Sequence, residues 1–238
     1  NEAVKQLNIV PNGVYVDATF GGGGHSKEIL KKLVNGKLIA FDQDQASLIN
    51  TIQGDKRFKM VNANFRNLTN EISALGINSI NGLIADLGVS GYHFTDNDRG
   101  FSLKYNSIID MRMDNRLINK GQNILNNYSK DELNRIFKDY ADFKHPGSIT
   151  SAIINYRKKN TIKSIFEFKK IFQNFFSKKH KNKFFARLFQ AVRIEVNDEI
   201  NALKDLLKQA KDILVPKGRM VIISYHSVED RLVKNFSY

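Results

Sequence analysis

The stretch DATFGGGGHSKEIL, residues 17–30, decides how this chain folds. It places four glycines, Gly21 to Gly24, between an apolar run that ends at Asp17 and a segment with helical spacing. A glycine-rich turn between a strand and a helix brings backbone amides close to a ligand. Several classes of ligand use such a turn, so the segments around it have to identify which class binds.

Strand and helix patterns alternate on both sides of this turn. Apolar runs predict strands at 14–18, 37–44, 58–65, 80–88 and 216–227. Helical patterns lie at 26–34, 44–52, 67–75 and 198–214. This alternation predicts a parallel sheet with right-handed crossovers. In a doubly wound sheet ordered 3-2-1-4-5, the ends of the first and fourth strands lie side by side.

A helical insert interrupts the alternation between the fourth and fifth strands. Residues 91–128 look irregular and polar, whereas residues 130–190 have helical periodicity. One apolar face recurs at helical spacing, and its members are Ile165, Phe168, Phe172, Phe175 and Phe176. We predict that these side chains form the core of the insert rather than base-stacking surfaces.

The charge of the chain indicates a polyanionic partner. The 238 residues carry a net charge of +13, and between Arg157 and Arg187 the only acid is Glu167. A local excess of this kind favours a nucleic-acid surface over a general lysine-rich composition. The absence of cysteine excludes disulfides and thiolate metal sites and fits a reducing compartment. No apolar run is long enough to span a membrane.

The residues after the glycines exclude two common phosphate sites. The G-x-G-x-x-G fingerprint fails because Ser26 or Lys27 stands where the third glycine is required, which argues against a nicotinamide dehydrogenase. The P-loop fails because no Gly-Lys-Ser/Thr follows the turn.

Carboxylates at strand ends favour another ligand. Asp42 ends the second strand at the spacing that suits ribose hydroxyls, and Asp86 ends the fourth strand beside Asp17. S-adenosylmethionine has a ribose and no pyrophosphate. Its carboxylate suits the helix start near His25 and Ser26, and its ammonium suits the acids near the turn. The sequence therefore predicts a site for this methyl donor.

Six segments together identify a family. They read DATFGGGGHS, FDQD, ADLGVS, RGFSL with IIDMRMD, FFARLFQAVRIEVNDEI and GRMVIISYHSVEDRLVK. In this order they resemble, across almost the whole chain, the signature segments of the bacterial RsmH/MraW family. Enzymes of that family transfer a methyl group from S-adenosylmethionine to N4 of a cytosine in the decoding region of 16S ribosomal RNA.

The resemblance agrees with the predicted α/β fold, a Rossmann-like doubly wound parallel sheet of the class I S-adenosylmethionine-dependent methyltransferases with an inserted helical subdomain. We assign residues 1–110 and 191–238 to the methyltransferase domain and residues 111–190 to a basic helical insert for substrate recognition. The implied cofactor contacts are Gly22, Gly23, Gly24, His25, Asp42, Phe65, Asp86 and His93. The implied partner is 16S ribosomal RNA or the small ribosomal subunit in the bacterial cytoplasm, without a metal.

Three features depart from the family pattern. His93 stands where the family usually has glutamine. The stretch YADFKHPGSITSAI, residues 140–153, replaces an arginine-rich helical segment and contains Pro146 and Gly147. The family normally continues before Asn1 and beyond Tyr238, so we expect both ends to be trimmed.

Methyl transfer to a cytosine amine needs an acceptor for the amine protons, because the nitrogen lone pair is delocalised into the ring. The Asp/Asn-Pro-Pro-aromatic motif of other amino-methyltransferases is absent after the fourth strand. The candidate catalytic residues are therefore Asp86, Asp110, Asp114 and His226. Two alternatives stay open: the IIDMRMD segment as a salt-bridged turn, and capping of the last helix by residues around Ser227.

A base inside folded RNA has to leave its stack to be methylated, which requires a recess and a stacking surface. We predict substrate contacts through Arg99, Phe101, Arg112, Arg193 and Tyr225 together with the basic insert. The segment 189–200 is predicted to pack on the sheet, with Glu195 and Asn197 as candidates for the cleft.

Two other functions remain compatible with these residues. One is a methyltransferase of the same fold that acts on DNA, a protein amide or a small molecule. The other is an RNA-binding or ribosome-assembly module that has kept only the remnant of a methyl-donor pocket.

Overall fold

The computed structural model describes residues 2–91, 98–173, 175 and 181–237, which group into two compact units. The first unit spans 1–88 and 200–238, and the second spans Val89–Glu199. The sequence placed these boundaries at 110/111 and 190/191. The difference has a physical cause, since Phe101, Ile109 and Val192 are buried in the core of the second unit.

The first unit is built on a five-stranded parallel sheet. Its strands are β1 Val14–Asp17, β2 Lys37–Phe41, β3 Phe58–Val61, β4 Ile80–Asp86 and β5 Leu214–Ile223. Their order is β3-β2-β1-β4-β5, and every neighbouring pair is parallel. The predicted parallel sheet is confirmed.

The helices, in chain order, are α1 Glu2–Gln6, α2 Gly24–Leu30, α3 Leu68–Ala74, α4 Gly121–Asn127, α5 Lys130–Asp139, α6 Gly147–Arg157, α7 Ile165–Ile171, α8 Lys181–Asn197, α9 Glu199–Ile213 and α10 Ser227–Ser237. Two short 3₁₀ helices lie at Gln45–Asn50 and Phe65–Asn67. No helix among the described residues is long and apolar enough to cross a membrane.

Helices cover both faces of the sheet, which makes the fold doubly wound. Val16 and Leu83 face α3 and α9 and are buried in one core cluster with their apolar side chains. Tyr15 and Ile84 face α1 and α2 in a second cluster. Successive strand residues point to opposite faces, so interior strands covered on both sides are apolar throughout.

Three elements differ from the sequence prediction. The helix expected at 44–52 is the short 3₁₀ helix, where Ile49 is exposed and no apolar face supports a longer helix. The irregular region at 91–128 contains α4, whose Ile124 and Leu125 are buried in the core of the second unit. β5 starts at Leu214, before the predicted turn, and its register with β4 shifts ahead of Arg219.

The second unit contains α4 to α8 around its own apolar core. Ile165, Phe168 and Phe172 are buried there, as the helical spacing predicts. The ring of Phe175 remains 40% exposed, and Phe176 lies outside the described residues. α6 follows Pro146 directly, a residue type that is tolerated where a helix begins.

Candidate active site

The glycine turn of the first unit presents bare backbone to open space. A Cβ added at Gly22 or Gly24 would meet no atom within 4 Å, whereas one at Gly23 would meet the ring of Phe20 at 2.9 Å. Gly23 also has a φ of +74°, in the left-handed region that favours glycine. The turn is therefore held from inside by Phe20 and is accessible from outside.

Asp17, at the end of β1, is hydrogen-bonded to residues on both sides of the glycine turn. It is 1% exposed, and its Oδ2 accepts a 2.7 Å hydrogen bond from the Ser26 hydroxyl. Its Oδ1 accepts a 3.2 Å bond from the backbone N–H of Thr19. Burial raises the pKa of Asp17 above its ordinary value, although these two bonds lower it in part. A carboxylate so enclosed shapes the turn and does not face a ligand.

Asp42 joins the turn to the end of β2. Its Oδ2 accepts a 2.8 Å hydrogen bond from the N–H of Gly21, and its Oδ1 accepts a 2.9 Å bond from the N–H of Asp44. Asp42 is only half-buried, so part of its carboxylate remains accessible to a ligand while it holds the turn.

At the end of β4, Asp86 lies beside two other predicted site residues, Tyr225 and His25. Its Oδ1 accepts a 2.8 Å hydrogen bond from the Tyr225 hydroxyl, and its Oδ2 lies 4.0 Å from Nδ1 of His25. Its backbone N–H donates a 2.7 Å bond to Oγ1 of Thr19. The bond to Asp86 raises the pKa of Tyr225, so that the hydroxyl stays a donor. Thr19, in the sequence DATF, is a further residue of this group, and no local pattern in the sequence indicates its contact with Asp86.

These side chains all lie where parallel strands end. Asp17 pairs with Ile84 across β1 and β4, so Asp86 sits beside the glycine turn as the strand order predicts. This is the point at which a doubly wound sheet reverses its order and forms a ligand crevice. Phe65 starts the 3₁₀ helix after β3 and packs partly against the core, and His93 lies outside the described residues.

His226 caps the last helix of the first unit. Its Nδ1 accepts a 3.3 Å hydrogen bond from the N–H of Glu229, and the Glu229 carboxylate accepts a 3.0 Å bond from the N–H of Tyr225. Nε2 of His226 lies 3.2 Å from the same carboxylate. The lone pair that a general base would use is thus engaged in the cap, which supports the capping alternative.

In the second unit, the IIDMRMD segment forms a salt-bridged turn. Both carboxylate oxygens of Asp110 accept bonds from the guanidinium of Arg112, at 2.6 and 2.9 Å, and Lys120 Nζ lies 3.3 Å from Oδ2. Burial raises the pKa of Asp110, but Arg112 and Lys120 outweigh it, and the pKa lies below its ordinary value. Nε of Arg116 donates to both carboxylate oxygens of Asp114, at 2.8 and 3.0 Å. These carboxylates are committed to structural partners.

The predicted substrate contacts of the second unit also have internal partners. Arg99 donates to the carbonyls of Arg112 and Met113, at 2.7 and 2.9 Å. Arg193 forms a paired bond with Glu199 at 2.9 and 3.1 Å. Phe101 is only 8% exposed and Arg99 lies over its ring, which leaves little of the ring open for stacking.

Asn197 anchors the turn of the IIDMRMD segment, and Glu195 binds Tyr128 and Arg135, so both side chains have partners within their own unit. Asn197 is buried, accepts a 2.7 Å bond from the N–H of Met113 and donates a 2.8 Å bond to the carbonyl of Met111. Glu195 accepts bonds from the hydroxyl of Tyr128 and from Arg135. The sequence offered both as cleft residues because it contains no signal for bonds between such distant positions.

Comparisons with known proteins agree with the resemblance. Residues 1–237 match the MraW methylase family. The chain is 50% identical over 226 residues to the ribosomal RNA small subunit methyltransferase H of Karelsulcia muelleri, covering 94% of this chain and 75% of that protein. The proteins of that name from Flavobacterium johnsoniae and Parabacteroides distasonis are 44% and 46% identical, covering 98% and 99% of this chain and 77% of each relative. The chain belongs to the MraW methylase family.

Proposed function

We propose that this chain transfers a methyl group from S-adenosylmethionine to N4 of a cytosine in the decoding region of 16S ribosomal RNA. The observation that carries the proposal is the grouping of the glycine turn, Asp42 and Asp86 at the carboxyl edge of the sheet. Relatives named for small-subunit ribosomal RNA, at 44 to 50% identity, support the substrate class. Action on a ribosomal substrate also implies a cytoplasmic location.

The residues at this edge fit the methyl donor. Gly22 and Gly24 leave open space where any side chain would project, which suits close approach of a ligand to the backbone. Asp42 offers acceptors to ribose hydroxyls, and His25 lies beside Asp86. S-adenosylmethionine supplies an activated methyl group on a sulfonium when it is bound.

The contribution of the chain itself is to orient the amine and accept its protons. Asp86 is our first candidate for this acceptor because it is partly exposed at the crevice and fixed by Thr19 and Tyr225. An ionised carboxylate there favours the cationic nitrogen that develops in the transition state. Asp110 and Asp114 rank below it because both oxygens of each carboxylate accept bonds from Arg112 or Arg116. His226 ranks below it because its Nδ1 accepts a bond from the N–H of Glu229.

Methylation of 16S ribosomal RNA is the direct test. Small subunits lacking this modification are incubated with the protein and S-adenosylmethionine, and the RNA nucleosides are identified by mass spectrometry. We expect N4-methylcytidine from the wild type and from Lys208→Ala, an exposed control on α9, and at least a hundredfold less from Asp86→Asn. Methylation of a different nucleoside, or none by a wild type that binds the donor, overturns the proposal.

A further inference from the structure

The second unit carries two exposed aromatic rings on neighbouring segments. Tyr105 is 40% exposed and Phe166 is 51% exposed, and Ile108 next to them is 52% exposed. Exposed apolar patches rimmed by polar residues are typical of interaction sites. The group formed by Tyr105, Phe166 and the lysines beside them is called the aromatic–lysine patch below.

Backbone pairing holds the two parts of this patch together. Ile108 and Ser164 form an antiparallel bridge, and the N–H of Ile165 donates a 3.0 Å bond to the carbonyl of Ser107. The N–H of Phe166 donates to the side chain of Asn106 at 3.1 Å. The rings of Tyr105 and Phe166 therefore project from paired segments, with little ordering left for a ligand to impose.

Lysines accompany both rings. Nζ of Lys104 lies 5.9 Å from the centre of the Tyr105 ring, and Nζ of Lys169 lies 5.6 Å from that of Phe166. Lys169 also donates a 2.6 Å bond to the carbonyl of Leu103, which ties α7 to the segment of Tyr105. The further exposed lysines of these two segments are Lys158, Lys159, Lys163 and Lys170.

The only acid of these two segments, Glu167, is bonded to backbone N–H groups. Between 102 and 109 there is no acid, and between 157 and 173 there is only Glu167. Its carboxylate accepts bonds from the N–H groups of Lys163 and Ser164, at 2.8 and 2.9 Å, and these bonds lower its pKa. Its negative charge thus caps α7, and the lysines of these two segments outnumber this one acid.

We propose that the aromatic–lysine patch binds a single-stranded segment of the RNA substrate, with bases stacked on Tyr105 and Phe166 and phosphates held by the lysines. This rests on the proposed function for its RNA and names the surface that holds it. Aromatic rings with cations beside them are how proteins bind single strands without reading their sequence. Lysine is depleted in protein–protein interfaces, so the composition disfavours a protein partner.

The arginines of the second unit that were predicted to contact RNA are bonded to groups of that unit. Arg99, Arg112 and Arg193 are engaged with carbonyls and carboxylates of their own unit. Arg157 likewise donates to the carbonyls of Leu125 and Tyr128. The phosphate contacts expected of a basic insert therefore fall to its exposed lysines.

Binding of a short unstructured RNA that carries one 2-aminopurine tests this inference, because the fluorescence of that base is quenched when it stacks. Wild type should bind with quenching. Tyr105→Ala with Phe166→Ala should bind at least tenfold more weakly and lose the quenching. The double variant Tyr105→Phe with Phe166→Tyr should keep both the affinity and the quenching. Phe236→Ala removes an exposed ring on α10 and is the matched control, which should bind like the wild type.

The lysines are tested by salt. Lys163→Ala with Lys170→Ala should reduce the slope of log affinity against log salt by about 1.4, since each phosphate contact to a single strand contributes about 0.7. If Tyr105→Ala with Phe166→Ala leaves both the RNA affinity and the quenching unchanged, the proposal that the patch binds RNA is refuted. A second outcome separates the two proposals. If the double alanine variant loses RNA binding but the wild type does not methylate 16S RNA, the patch is supported and the proposed function is refuted.

Discussion

The hydroxyl of Tyr225 donates a 2.8 Å hydrogen bond to Oδ1 of Asp86, linking the loop after β5 to the end of β4 beside the glycine turn. Tyr225 is nevertheless 70% exposed, so the bond serves to orient Asp86 rather than to stabilise a core. The same carboxylate lies 4.0 Å from His25 through its other oxygen. Asp86 is thus held between two side chains at the position proposed for the proton acceptor.

Tyr225→Phe removes this bond and keeps the ring. We expect the free energy of unfolding to change by less than about 1 kcal/mol, because an exposed hydrogen bond contributes little. The turnover of methyl transfer should fall about tenfold while the affinity for S-adenosylmethionine is kept. Single-turnover kinetics with calorimetric titration separates the two, and an unchanged turnover would contradict an orienting role for Tyr225.

Asp42→Ala should abolish the binding of S-adenosylmethionine. Calorimetric titration measures this, and we expect it to detect binding by the wild type and none by the variant. The substitution removes the proposed ribose acceptor and also the acceptor for the N–H groups of Gly21 and Asp44. Asp42→Asn separates these roles, because the amide oxygen still accepts one of the two bonds. We expect the affinity of Asp42→Asn for S-adenosylmethionine to lie between those of Asp42→Ala and the wild type. Equal affinity of Asp42→Ala and the wild type would exclude Asp42 as the ribose acceptor.

Asp17 should limit stability at neutral pH. Its pKa is raised in the folded state, so its favourable contribution is present below the unfolded pKa near 3.8 and is lost as pH rises through the folded pKa. Asp17→Asn cannot ionise, and its stability relative to wild type should increase as pH rises through that window and then level off. Asp17→Ala should be destabilised by about 1–3 kcal/mol, because Ser26 and Thr19 lose their acceptor.

Urea unfolding of these Asp17 variants at a series of pH values makes the comparison. A constant difference between Asp17→Asn and wild type across the series would show that the carboxyl is not titrating differently in the folded state. The alanine variant provides the scale for the hydrogen bonds alone.

Asn197→Ala should destabilise the protein by about 2–3 kcal/mol, because the buried N–H of Met113 and the carbonyl of Met111 lose their partners. Asn197→Asp retains the acceptor for Met113 but places a carboxylate oxygen against the carbonyls of Met111 and Arg193. It should be at least as destabilised at neutral pH and should recover in acid. Thermal unfolding measures both, and equal stability of Asn197→Asp and wild type would refute the anchoring role.

Much of the first unit could be predicted from local patterns. The acids Asp17, Asp42 and Asp86 end apolar runs, and the parallel order of those runs places all three at one edge. The IIDMRMD segment shows the limit, since the same charges are typical of a catalytic cluster and of a salt bridge. The contacts of Asp110 with Arg112 and Lys120 decide between them, and they depend on how the turn folds.

The sequence by itself determined the parallel α/β fold, the glycine turn and the family, because alternating apolar periods and motif spacing are local properties of a chain. Only the tertiary structure decided which charged groups remain accessible. Asp17 is enclosed while Asp42 is half-buried, and Asn197 binds Met113 across 84 positions of sequence. Burial and hydrogen bonding of this kind arise only when distant segments pack, and no pattern along the chain records them.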